Sequence, residues 1–406
     1  MKKIKARLNF SKYLIVALLI CIAVVFALQS AQVCYADKAQ DESEKTIQDN
    51  VDENLDKMDL SKLEELLASL GDDFRTLFGS DATSTIKSIV NGDFQGGFSD
   101  FLSILTKGIG KSILDVLPMV LTIVAVAVIY SLLEGLSSGF VRQPTKQLIY
   151  FATYSAIILV VMIEIGSIIS LTTNTIRSIK TVMEAIFPIL LTLVTLLGGV
   201  NSSAVFKPMM VTLTSFITTF ISSVIIPFFI AAIAFSVVGN LTKSVKLDKL
   251  TGFFKSSATY VLGGVFSLFM AFLTFQGLTG GVIDSVSIKT AKFAIQSYVP
   301  ILGGYLSDGF DLMLASLVLI KNSIGIIGLL TILSVIALPT IKIAVLSLGL
   351  KLASGIIEPL CDSKFSKMLH SISSNLILLI VSLVGVGFMF LMTIMLVIYT
   401  FNAGVV

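Results

Sequence analysis

Few side chains in this sequence are placed to do chemistry, and those few lie in apolar surroundings. Glu164 sits in Val160-Val161-Met162-Ile163-Glu164-Ile165, and Lys321 follows Leu317-Val318-Leu319-Ile320. Lys342 and Lys351 interrupt another apolar run. An ion held in lipid is expensive, so each such residue is either a polar lining, a partner in a Glu164–lysine pair, or an interfacial group whose head reaches the headgroups. The residues alone leave these alternatives open. No chain of carboxylates suggests a proton relay. The sequence holds one histidine, His370, and three cysteines, Cys21, Cys34 and Cys361, without the spacing of a metal site. It has no Walker A loop, no dinucleotide fingerprint and no Gly-x-Ser-x-Gly elbow. The expectation is a protein that is not an enzyme, has no cofactor and no metal, and does not bind nucleic acid.

The elements that must carry these residues are membrane helices. The 406 residues are 55% hydrophobic and 14% charged, with a mean hydropathy of +0.95. Soluble domains run to about 45–50% apolar and about 25% charged. Two stretches resemble each other. The first holds Ser178-Ile179-Lys180-Thr181, then Pro188, Gly198-Gly199 and Pro227. The second holds Ser287-Ile288-Lys289-Thr290, then Pro300, Gly303-Gly304 and Pro339. Pro188 and Pro227 are 39 apart, as are Pro300 and Pro339. Such internal repeats build many pores and transporters.

Residues 1–36 have the form of a secretory signal. Lys2, Lys3, Lys5, Arg7 and Lys12 precede an apolar run from Tyr13 to Leu28, and Cys34 and Ala36 suit cleavage after Ala36. Residues 37–110 are the polar part of the chain and read as a small helical extracytoplasmic region. Ser61 and Glu64 have capping-box spacing, and Leu60, Leu63, Leu67 and Leu70 share a face that Gly71 ends. A second short helix is expected over Ala82–Val90, stopped by Asn91-Gly92, and a third from near Ser99, with Phe101, Leu102, Leu105 and Ile109 on one side.

Spanning helices of about 20 apolar residues fit 113–135, 148–171, 209–238, 257–278, 323–346 and 372–400. Two shorter stretches, 182–198 and 291–305, carry Pro188 and Pro300 and read as re-entrant or broken segments. Charge supports this arrangement. If both stretches dip and return, Lys243, Lys246, Lys249, Lys255, Lys364 and Lys367 all fall in the cytosol with Arg142 and Lys146. The sequences around Lys246–Leu250 and Lys364–Met368 then form interfacial helices that hold acidic lipids or a cytosolic partner. Eight full crossings remain the alternative. The fold expected is all-α and polytopic, in six parts: 1–36, 37–110, 111–147, a first repeat 148–255, a second repeat 256–371, and a last helix 372–406.

The stretch SIKTVMEAIFPILLTLVTLLGG at 178–199 and its echo SIKTAKFAIQSYVPILGG at 287–304 resemble the stage III sporulation protein AE family of endospore-forming Firmicutes. The resemblance covers nearly all of the chain after the signal. It implies a multi-pass protein of the mother-cell membrane that surrounds the forespore, part of a channel complex joining the two cells. The implied partners are membrane lipids, other proteins of the same operon, among them a cytosolic ATPase and ring-forming intermembrane proteins, and a membrane insertase. No catalytic residues are carried over. A secondary transporter and a scaffold without its own conduit are the other readings.

Overall fold

The computed structural model describes residues 41–69, 78, 81–94, 98–137, 143–241, 247–298 and 303–400. The expected signal at 1–36, Pro300, Lys243, Lys246 and Arg142 lie outside the described residues. The chain divides after Asp49, and apart from the helical residues Asp41–Asp49 the structure described below lies in the unit from Asn50 onward.

Three short helices come first: α1 (Asp41–Asp56), α2 (Ser61–Ser69) and α3 (Ala82–Val90). α2 buries Leu63, Leu66 and Leu67, with Leu60 beneath its start. Its first turn is held differently from the expected capping box. Asp59 Oδ1 accepts from both the backbone N–H and the hydroxyl of Ser61, so the carboxylate two residues upstream takes the capping role. α3 has the expected bounds. Asp81 caps it by accepting from the Thr83 and Ser84 amides, and Gly92, at φ 76°, turns the chain away.

The remaining helices are long. α4 (Phe98–Ser137) has 40 residues, so the helix expected near Ser99 and the membrane helix at 113–135 are one. α5 (Gln143–Leu196) has 54 and absorbs both 148–171 and 182–198. The stretch 182–198 is therefore not a separate broken segment, which corrects the sequence reading. Pro188 does not end the helix, because a proline removes one hydrogen bond where many neighbours remain. Gly198 ends it. At φ 85° its backbone is left-handed, and the Gly199 amide reaches back to the Val194 carbonyl, closing a Schellman turn.

α6 (Val200–Phe220) then runs through a π turn, Ile221–Ile225, into α7 (Ile226–Leu241). The wide turn directly precedes Pro227 and relieves the clash its ring makes with the preceding turn. α8 (Asp248–Tyr298) has 51 residues and includes most of 291–305. α9 (Gly303–Ile357) has 55 residues with Pro339 inside, and α10 (Ser363–Thr400) has 38.

Among the described residues, six helical stretches are long and apolar enough to cross a membrane: Asp100–Leu136, Pro144–Leu196, Val200–Leu241, Asp248–Thr274, Gly309–Ile357 and Ser363–Tyr399. The chain is a polytopic, all-helical membrane protein among the described residues. About half of the hydrophobic stretch is buried in α9 (50%) and α10 (56%), against 28% in α4, α5 and α8, so the α9–α10 hairpin is the centre on which the others pack.

That hairpin is held by small residues and hydroxyls, which substitute for the hydrophobic effect between helices in lipid. Ser347 and Ser373 exchange hydroxyl-to-carbonyl bonds at 3.0 and 2.8 Å. Ser354 donates to the Ser366 carbonyl at 2.8 Å. Gly387 lets Ile336 approach, and Gly328 meets Ile394 of α10 and Ile186 of α5 together.

Candidate functional site

Among the described residues, three places bring polar groups together. The first is a cavity of about 300 Å³ between the last turns of α5 and the first of α6. Its walls carry Glu184, Pro188, Thr192 and Thr195 from α5 and Ser203, Lys207 and Thr214 from α6, over an apolar floor of Met183, Phe187 and Met210. Gly198 makes the tight turn that sets the two helices side by side, and Ser203 donates to the Leu191 carbonyl at 3.3 Å. Glu184 pairs with Lys180 one turn back at 3.5 Å and also faces a second hollow of about 310 Å³ shared with Lys62, Glu65 and Ser69 of α2. The first cavity thus has an acid on one wall and a base on the other, with hydroxyls between. That lining suits binding of polar or zwitterionic groups and offers no activated nucleophile.

The second place is the interior of α9. Lys321 is fully buried, and its ammonium donates to the Ile398 carbonyl of α10 at 3.0 Å. That carbonyl lies toward the C-terminal end of the described part of α10, the side to which the helix dipole points its negative end. A cation is favourable there. Lys342 of α9 faces Asp115 of α4 at 4.0 Å, and Glu164, for which a lysine pair was one of the alternatives, is half-buried on α5.

The third place is where α4 and α7 end and α5 and α10 begin. Tyr130, Tyr150 and Tyr154 surround the Phe365 ring at 5.3, 5.0 and 5.6 Å between centroids. Tyr154 donates to the Val237 carbonyl at 2.6 Å. Cys361, in the turn before α10, donates to the Ala127 carbonyl. Burial, then the nearby Glu134 and Asp362 carboxylates, push its thiol up to about 11, so it stays protonated and unreactive at neutral pH.

The predicted residues fall as follows. Pro188 lines the cavity, and Gly198 and Gly199 form the turn above it. Pro227 follows the π turn, Pro339 lies inside α9, and Gly303 and Gly304 begin α9. Lys249 is exposed at the start of α8, and Lys255 reaches the Ser374 carbonyl of α10. Lys364 and Lys367 lie in the first turns of α10, the former with its amide on Asp362 Oδ1 at 3.1 Å. The starts of α8 and α10 thus share one end of the bundle. Sequence reasoning missed Glu184, Lys207 and Asp115. Their signal was available only as charges at helical spacing beside Pro188, Pro208 and Pro118.

The profile of the family described as "Stage III sporulation protein AE (spore_III_AE)" matches residues 80–400. The stage III sporulation protein AE of Bacillus subtilis (strain 168) is 23% identical over 394 residues, covering 97% of this chain and 98% of that protein. No solved structure matches. The family is named for a stage of sporulation and not for a reaction. With the profile spanning most of the membrane helices just described, the chain belongs to the stage III sporulation protein AE family.

Proposed function

We propose that the protein is a non-enzymatic membrane subunit of the channel or export apparatus that links mother cell and forespore, lying in the mother-cell membrane around the forespore. The observation that carries this reading is the family match across a bundle with six candidate spans. Its working parts are two related helical hairpins. α5 with α6–α7 is one, and α8 with α9 is the other. In each, a helix of more than 50 residues is followed by a second long helical arm, of 21, 5 and 16 residues in the first and 55 in the second. The repeated SIKT sequences and the equal proline spacing support the same pairing. The cavity beside Pro188 lies within one hairpin and not between the two, which favours a fixed subunit over an alternating-access carrier.

The six parts read from the sequence, with residues 1–36 as a removed signal, belong to this proposal. So do the partners: lipids, a membrane insertase, and operon proteins that include a cytosolic ATPase meeting Lys249, Lys255, Lys364 and Lys367, and ring proteins meeting the N-terminal helices. Deleting the gene is expected to block sporulation after engulfment and to leave vegetative growth unchanged. A normal spore yield from the deletion strain would reject the reading.

A further inference from the structure

Hydroxyl hydrogens decide what the cavity beside Pro188 can hold. A hydroxyl has one hydrogen to give and two lone pairs to offer. Thr192 donates its hydrogen to the Pro188 carbonyl at 3.0 Å, Thr195 to the Leu191 carbonyl at 2.8 Å, and Ser203 to that same carbonyl at 3.3 Å. All three residues line the cavity. Their hydrogens are committed to backbone, so what they present to a ligand is lone pairs.

Pro188 and Glu184 extend the set of acceptors. Proline has no N–H, so the Glu184 carbonyl four residues back lacks its helical donor. Glu184 and Pro188 line the cavity one turn apart on the same helix, which puts that oxygen on the cavity side. The Glu184 carboxylate stands beside it. Lys180, one turn back, meets Oε1 at 3.5 Å, which leaves Oε2. On its other side Glu184 faces the hollow that holds Lys62 and Glu65. This wall therefore suits a group with a positive charge and several N–H donors, a primary ammonium.

The facing wall has the opposite sign. Lys207 of α6 is exposed there, and a lysine binds phosphate as a point charge. A ligand that uses both charges must span the two walls. An α-amino acid carries both of its charges on one carbon, whereas ethanolamine phosphate separates them by two methylenes and an ester oxygen. At about 300 Å³ the cavity is at the small end of ligand sites, which run to roughly 300–1,000 Å³, so it takes a headgroup-sized molecule. Exposed Val211 and Phe216 continue along α6 from the cavity, and exposed Leu196 and Val200 flank the turn, an apolar rim that suits acyl chains.

We propose that this cavity binds a phosphoethanolamine group, with its ammonium on the Glu184 wall and its phosphate on Lys207. The group comes from phosphatidylethanolamine or from a soluble phosphoethanolamine compound, and the recognising chemistry is the same for both.

The test uses the purified full chain in detergent. It does not read spore formation, so it stands or falls apart from the channel reading. Native mass spectrometry should show phosphatidylethanolamine bound about tenfold more tightly than phosphatidylcholine, whose quaternary ammonium has no N–H, and than phosphatidylglycerol, which has no ammonium. E184Q should abolish that preference. K207Q should weaken phosphatidylethanolamine binding about tenfold, and T195V, which keeps the shape and removes one acceptor, about threefold. Equal binding of the three lipids would overturn the site, as would phosphatidylethanolamine binding unchanged in K207Q and T195V. Excess glycerophosphoethanolamine separates the two sources. Displacement of the lipid assigns the site to the soluble group and retention assigns it to the lipid, and both support the site. Binding of neither compound would refute it.

Discussion

Lys321 shows how one residue settles a charge in an apolar interior. Its reach to Ile398 places the amine among backbone carbonyls toward the C-terminal end of the described part of α10. Lys321→Met keeps the volume and is expected to yield folded protein. Lys321→Glu sets a carboxylate against those carbonyls and is expected to abolish it. Size-exclusion profiles after detergent extraction decide, and equal monodispersity of the two would refute the account. Asp81 does a similar job at the other polarity. Bonds from the Ser84 amide, and then from that of Thr83, hold its carboxyl below the usual aspartate value. A depressed folded pKa means that the contribution is full above about pH 4 and is lost as pH falls through the folded value. Asp81→Ala should cost the α3 region about 1 kcal/mol at neutral pH, read as faster hydrogen exchange over 82–90, with the difference from wild type vanishing in acid. An unchanged exchange rate at pH 7 would count against the cap.

Among the helices, prolines sit inside α4, α5, α6 and α9 without ending any of them. At Pro118, Pro188 and Pro208, a threonine four residues on donates its hydroxyl to the proline carbonyl, at 2.8, 3.0 and 2.9 Å. Those threonines belong to the helix just after each kink-prone turn and hold it in helical register. The sequence marked Pro188 as a break because a short apolar run with a proline also describes a re-entrant segment. Glycine contacts set the spacing between helices. A Cβ at Gly349 of α9 would lie 2.6 Å from Val116 Cγ1 of α4. Valine has one favoured rotamer in a helix and cannot swing away. Gly349→Leu should therefore lose about 2 kcal/mol, seen as a lower thermal midpoint in detergent. Gly355→Leu, on the same helix with open space around it, should not. Equal midpoints would show that the α4–α9 contact is slack.

On the scale of the molecule, α9 and α10 form the buried centre, and the other long helices lie around it with their lipid faces outward. Six described stretches are long and apolar enough to cross a membrane, the number of crossings that charge arithmetic favoured, while most of 182–198 is the end of one long helix and not a separate segment. The positive-inside argument needed that stretch not to cross, and a helix that continues out of the membrane satisfies it as well as one that dips and returns.

The order of apolar and polar stretches by itself determined the helical class, the six apolar spans and the N-terminal helix Ala82–Val90, because hydropathy and helix stops act locally along the chain. It could not determine that 148–171 and 182–198 are one rod, since a polar interval such as Thr172–Thr181 is compatible with either a loop or a helix exposed to water. Nor could it pair Lys342 with Asp115, Lys321 with Ile398, or Glu184 with the wall opposite Lys207. Those neighbours are distant in sequence, and only the packing of one helix on another brings them within reach.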